Sequence, residues 1–278
     1  MLFLFPGYLK SETEIDSDTT VTTLTSGGYN IKSSNTLTIN NSGSITYSDL
    51  IRGTGSLVLK GSGALNFSEE MTYTGSTNLQ SSANLYILTN GGLPDATAIT
   101  MGTSYGDNTS ITFDTSDTIG SLSGPVAGAD AAISLSYSDT ILTISPGSGS
   151  TTYKGTISGM GGLIKAGAGT QTLSGRLSQG TLSVSAGTLI INNSSNNYSS
   201  TSISGGTLQS GDDSATGLGK ITMTGGQLSS NGSTARTFSN NLDISGSVEL
   251  GDTTNNGSVT IASTTTLLGN TTLTNNSS

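Results

Sequence analysis

The chain has 278 residues, of which 10% are charged against about 25% in ordinary globular domains, while its 39 glycines are about twice the usual share. A net charge of −9 with only nine Lys and Arg excludes the basic track that nucleic acid requires and opposes binding to an anionic membrane surface. Without cysteine or histidine there is no disulfide, no thiolate or imidazole metal site and no Ser/His or Cys/His nucleophile; no apolar run approaches the ~18 residues of a membrane span, and no cofactor is expected.

Residues 1–10, MLFLFPGYLK, begin with a short apolar run, Leu2, Phe3, Leu4 and Phe5, stopped by Pro6. A signal peptide needs a basic start and about 7–15 apolar residues, so this is not an intact one. It reads as a truncated or tag-like leader, as an end cap over the first turn of the fold, or as an assembly segment that packs onto another subunit. Residues 12–18, ETEIDSD, alternate strictly, so on a strand Glu12, Glu14, Asp16 and Asp18 share one face and Thr13, Ile15 and Ser17 the other. Four carboxylates in a row can collect a hard cation such as calcium. The competing expectation is a charged edge strand that blocks uncontrolled stacking, favoured because no glycine turn or Asn/Asp-rich ligand loop accompanies the row.

From Val21 onward short strands alternate with turns: TVTTLTS, NTLTIN, GSITYS and GSLVLKGSGALNF. They are rich in Thr, Ile, Val and Leu with a period of two, and Gly, Asn and Ser punctuate them. Nothing reads as a helix, since no 3.6-residue apolar stripe extends beyond two turns. Pro94, Pro125 and Pro146 fall in predicted loops, and residues 124–131, GPVAGADA, read as an insertion.

Two segments repeat at long range. Gly53, Gly55, Leu57, Gly61, Gly63 and Ser68 match Gly159, Gly161, Leu163, Gly167, Gly169 and Ser174 at a constant offset of 106 residues, with Lys60 and Lys165 out of step at 105. Further on, apolar segments end at Leu189, Leu208, Leu228 and Val248, in steps of 19, 20 and 20, and one more step of 20 lands on Leu268. Turn glycines sit two places before the first four: Gly187, Gly206, Gly226 and Gly246. Self-similarity at about 20 residues is the signature of a solenoid, in which each unit buries its apolar face against its neighbours. The ladder predicts one inward column, and the offset of 106 is about five turns.

The phrases GTGSLVLKGSGALNF…TYTGSTNL (53–79), STTYKGTISGMGGLIKAGAGTQTLSG (150–175) and VSAGTLII (184–191) resemble the passenger-associated repeats of autotransporter proteins. GGLPDATAITMG (91–102), TIGSLSG (118–124) and SATGLGKITMTGGQL (214–228) are similar to that family's connecting sequence. The resemblance covers roughly residues 50–250. It implies a right-handed parallel β-helix exported across the outer membrane and displayed or shed at the cell surface. The ends depart from the family pattern. The start lacks an intact signal peptide, and the polar TTLTNNSS lacks the alternating ~10-residue strands of a membrane barrel. Two expectations follow, a fragment of a passenger or a protein that borrowed the repeat.

Candidate chemistry is sparse. The G-x-G spacings open no helix, so they are turn glycines rather than phosphate loops. Enzymatic β-helices use carboxylates with Lys or Arg in a groove; the candidates are Glu69–Glu70, Asp114 with Asp117, and Asp212–Asp213. Adjacent strand residues point to opposite faces, which makes the two doublets poor acid/base pairs outside loops. Nine tyrosines spread singly give no stacking stripe. The asparagine doublets, among them Asn40–Asn41, Asn196–Asn197 and Asn240–Asn241, suit turns in which asparagine takes left-handed φ.

The sequence therefore predicts an all-β chain, a single-stranded right-handed parallel β-helix of about 13–14 turns of 20 residues, roughly 4.8 Å apart. Residues 1–20 form a cap or assembly segment and 21–278 the β-helix. The expected function is a non-catalytic extracellular rod of adhesin or passenger type, bound to a cell-surface receptor or glycan. The alternative is a subunit stacking on copies of itself into a filament or fibre; a polysaccharide-active enzyme is the third reading, which a contiguous carboxylate-lined groove would favour.

Overall fold

The computed structural model describes residues 11–88 and 91–276. Leu2, Phe3, Leu4 and Phe5 therefore lie outside the described residues. The chain is a parallel β-solenoid of about 13 turns with roughly 20 residues per turn, and no helix is present among the described residues. Each full turn contributes up to three short strands, such as Ile51–Gly53, Ser56–Lys60 and Ala64–Phe67, so the solenoid has three faces. Strands this short follow from the sequence, because alternating runs of three to six residues end at glycine, asparagine or serine.

On face 1 the sheet Thr13–Ile15, Tyr29–Ile31, Ile51–Gly53, Thr72–Tyr73 stops, and the column resumes with Asp117–Ile119, Ile141–Ile144, Gly162–Lys165 and Thr181–Val184. Between them Gly92 bridges to Glu70 and the Leu93 N–H donates to Asp117 Oδ2 (2.9 Å). Face 2 carries Ser56–Lys60, Thr77–Leu79, Ala98–Met101 and Ser121–Ser123, then Ser150–Tyr153, Thr170–Leu173, Thr188–Ile191, Thr207–Ser210 and Gln227–Ser230. Face 3 runs from Ile45–Tyr47 to Leu177–Ser178. Where a face lacks a strand, side chains take over its hydrogen bonds. Gln171 accepts from Leu122 N–H (3.2 Å) and donates to Leu122 O (2.9 Å) across the irregular stretch of face 2. On face 3, Asn196 accepts from Leu177 N–H and donates to Ala215 O, and Asn240 donates to Gly217 O and Gly219 O. The left-handed φ expected of the asparagine doublets is not taken, although Asn41 donates to Gly43 O and Asn193 accepts from Ser195 N–H as a turn residue does. Among the described residues the non-glycine positions with left-handed φ are Ser34 and Ser81, and the buried asparagines act through their amides.

The core is a stack of columns. Ile45, Leu65, Leu85, Ile111, Ile133, Ile157 and Leu177 stand in register up face 3, and all but the first are buried. Each such side chain contributes about 1.5–3 kcal/mol of burial. On face 2 Leu189, Leu208 and Leu228 are in register and buried, but the next partner is Leu250, not Val248. The strand Leu242–Leu250 runs continuously from face 1 to face 2, so the step on face 2 is 22 residues rather than 20. Val248 is buried but registers with Leu273, two residues ahead of the column. Leu268 is 48% exposed, because Thr265–Asn275 is the outermost described strand and carries mostly exposed residues. Gly187, Gly206, Gly226 and Gly246 all take φ between +60° and +72°. A Cβ on Gly206 would sit 2.5 Å from Gly187 O, and one on Gly226 2.5 Å from Gly206 O, so the corners stack only as glycine.

The 106-residue repeat is a third of a turn short of five. Gly53 ends a strand of face 1, whereas Gly159 ends Thr156–Gly159 on face 3. The corners are nevertheless built alike. The two residues after Gly53 donate to Ile31 O and the two after Gly159 donate to Leu135 O, with φ of +106° and +115° at the two glycines.

Candidate functional site

The sequence-predicted acidic row is broken at its middle. Glu12 immediately precedes the strand Thr13–Ile15 and Glu14 is its middle residue, but Asp16 and Asp18 lie beyond it at the corner. Glu12 is held in a two-point bond by Arg52 (Nε 2.7 Å, Nη2 2.5 Å), and Glu14 pairs with Lys32 at 2.5 Å and accepts from Asn30. Asp18 accepts from Thr36 N–H at 2.8 Å. The Lys32 hydrogen bond, then that of Asn30, holds the Glu14 carboxyl below its usual range. Cations and amides from the next two turns thus occupy three of the four carboxylates, and among the described residues no group of three carboxylates is placed to hold a metal ion.

Asp212 and Asp213 lie in a loop. Asp212 accepts from Ser214 N–H and Asp213 from Thr237 N–H, with Arg236 3.9 Å away. They cap backbone and do not face each other across a cleft. Glu69 and Glu70 are exposed at the corner before Thr72–Tyr73, and Asp114 accepts from the Ser136 hydroxyl at 2.5 Å.

Glu70 and Asp117 do meet, across a groove where face 1 loses its strand. Its central cavity, about 490 Å3, is lined by Glu70, Gly91, Gly92, Asp95, Ser116, Asp117, Thr118, Ile141, Thr143 and Ile164. At the corner towards face 3 it shares Ser116 with a second cavity of about 720 Å3, walled by Asp114, Tyr137, Asp139, Thr140 and Met160. At the corner towards face 2 it shares Asp95 and Thr118 with a third, about 660 Å3, beside Ser145 to Ser148. The groove thus crosses face 1 from one corner to the other. It owes its walls to long turns. Register steps here are 26 residues from Asn84 to Ser110, 24 from Ala132 to Thr156 and 25 from Asp117 to Leu142, and the surplus residues form the corner loops.

The groove is of one sign. Among the described residues its charged lining is Glu70, Asp95, Asp114, Asp117 and Asp139, with no Lys or Arg. Asp117 sits deepest, and its two oxygens accept from Leu93 N–H (2.9 Å) and Thr118 N–H (2.7 Å) in place of the missing ladder. Burial pushes its carboxyl up to about 7; the two backbone bonds oppose the rise, and the charges of Asp95 and Glu70 add to it. Tyr137 (53% exposed), Met160 (62%) and Ile141 (38%) supply apolar surface. Of these residues Glu70, Asp114 and Asp117 stand out in the sequence as candidate carboxylates, whereas Asp95, Tyr137, Asp139 and Met160 do not. The available signal was the lengthened repeat, not residue type. A buried carboxyl with a raised pKa beside further carboxylates is an acid/base arrangement, and an acidic cleft with an aromatic wall is equally suited to holding a ligand. Comparison with protein-family models, with curated proteins and with solved structures finds no match to this chain.

Proposed function

We propose that the chain is a non-catalytic rod of the adhesin or autotransporter-passenger type, displayed at or shed from a bacterial cell surface. In this reading the groove across face 1 is the face that meets a receptor or glycan. The observation that carries it is the contrast along the molecule. Most large apolar side chains stand in the core columns, and of those left exposed among the described residues Leu50, Tyr105, Val126, Leu218, Leu267, Leu268 and Leu273 lie elsewhere, whereas Tyr137, Ile141 and Met160 come together in the groove. The passenger-like phrases at 53–79, 150–175 and 184–191 support the assignment to a surface protein. Beads coated with the full chain are expected to adhere to cultured host cells, and Tyr137→Ala with Met160→Ala should abolish adherence without altering the far-ultraviolet circular dichroism. Equal adherence by the double variant, or none by the parent, overturns the reading.

One observation favours a second reading, a polysaccharide-active enzyme. Asp117 titrates near neutrality in a cleft that also holds Glu70 and Asp95, the pairing of acid and carboxylate that glycoside cleavage uses. Incubation with acidic and neutral polysaccharides, following new reducing ends or unsaturation, separates the two. Turnover that disappears in Asp117→Asn and Glu70→Gln establishes the enzyme and displaces the rod.

A further inference from the structure

We propose that the groove binds a cationic oligosaccharide, a chain of amino sugars whose ammonium groups face the carboxylates while a ring face packs on Tyr137 and Met160. The inference rests on the groove being the recognition face and adds the chemical class of its ligand.

Charge is the first argument. Among the described residues five carboxylates and no cation line the groove, and Glu70, Asp95 and Asp139 form no salt bridge. An anionic polysaccharide would meet uncompensated repulsion, whereas a polycation neutralises charges already held close together. This distinguishes the groove from the acidic N-terminal turn, whose carboxylates are answered by Arg52 and Lys32.

Shape and polarity come second. Tyr137 and Met160 share the wall of one cavity and offer exposed apolar surface to the C–H face of a pyranose ring. In the same wall Thr140 is 2% exposed, and its hydroxyl has no hydrogen-bond partner among the described residues. A buried polar group left unmet is costly, and rotation of this hydroxyl towards the cavity that Thr140 lines would let a ligand hydroxyl supply the missing partner. Ser116, Thr118 and Thr143 extend the hydroxyl-bearing floor across the central cavity.

A basic peptide fits less well. Extended peptides gain affinity by adding to a free strand edge. Here the edges beside the gap are already occupied, with Leu93 N–H on Asp117 and Met71 N–H on Gly92 O. The groove offers side-chain hydroxyls and carboxylates rather than a ladder.

The test titrates a glucosamine hexamer into the full chain by calorimetry at low and high salt, with the N-acetylglucosamine hexamer and hexalysine as comparators. The expected result is binding by the glucosamine hexamer that weakens with salt. It should fall about tenfold in Tyr137→Ala and about tenfold in Glu70→Gln with Asp95→Asn, and stay unchanged in Tyr105→Ala, an exposed tyrosine outside the groove. The acetylated hexamer and hexalysine should each bind at least about tenfold more weakly. Absence of binding, equal binding of the acetylated hexamer, parity with hexalysine, or indifference to the groove variants overturns the proposal. If bead adherence depends on Tyr137 while the glucosamine hexamer does not bind, the ligand class fails and the recognition face stands. If the hexamer binds while adherence ignores Tyr137, the receptor role fails and the site remains.

Discussion

Lys165 stands where the residues in register below and above it, Ile144 and Val184, are aliphatic. The sequence carried the cue, because its lysine is one residue out of step with Lys60 in an otherwise constant 106-residue repeat. One residue on a strand reverses the side of the sheet. Lys60 lies half-buried at the end of Ser56–Lys60, whereas Lys165 takes the inward place that Leu59 fills in the first copy, and it is 1% exposed. Its ammonium donates to Ala166 O, Gly167 O and Ala186 O at 2.5, 3.0 and 3.0 Å. Lys165→Met strands these carbonyls and should cost about 1–3 kcal/mol in urea unfolding at pH 7. Burial lowers the folded amine to about 8 from an ordinary 10.5. The unfolded chain therefore binds the extra proton between those values, and the parent gains stability as pH rises from about 8 to 10.5. The Met variant should lack that rise; parallel pH curves for the two would refute the account. Asp117 has the opposite sign. With its folded carboxyl raised to about 7 from 3.8, its contribution is present below pH 3.8 and lost as pH rises through 7. In Asp117→Asn the decline between pH 4 and 7 should be absent. Gln179 is the converse case, 2% exposed with both amide atoms unpartnered among the described residues. Gln179→Leu should raise stability by about 1–3 kcal/mol, and a lower urea midpoint would contradict this.

At the level of strands and corners, the sequence showed regular turns and hid irregular ones. The ladder through Leu189, Leu208 and Leu228 was legible because its steps of 19 and 20 repeat. The longer column from Ile45 to Leu177 was not, because its steps vary from 20 to 26 as corner loops lengthen. The step to Leu250 was misplaced for the same reason. A fixed period cannot register two residues added where one strand bends across a corner. The distinction is measurable. Leu208→Ala empties part of a closed column and should cost about 2–5 kcal/mol, while Leu268→Ala, at an exposed position, should stay within about 0.5 kcal/mol. Similar losses at both sites would mean that the last turn is covered in solution. The groove was only partly legible. Its carboxylates could be named from composition, but its apolar wall required knowing which loops neighbouring turns bring together.

For the whole molecule, strand pairing runs between neighbouring turns, so stability is close to a sum of nearest-neighbour terms and protection should grade along the axis. Thr265–Asn275 pairs on one side only, with Leu242–Leu250, and exposes Leu267 (61%) and Leu273 (49%). Amide exchange should be fastest there and slowest in the central strands Thr156–Gly159 to Thr188–Ile191, and uniform protection would argue against an additive solenoid. The duplicated corner has a consequence of another kind. In a rod of constant pitch, two copies of one phrase would mark a single line along its length. Because Gly53 and Gly159 end strands of different faces, the copies instead look outward in directions a third of a revolution apart. One antibody raised to that corner would therefore decorate a single molecule twice, on different sides, and in projection its two Fab fragments would splay rather than lie parallel.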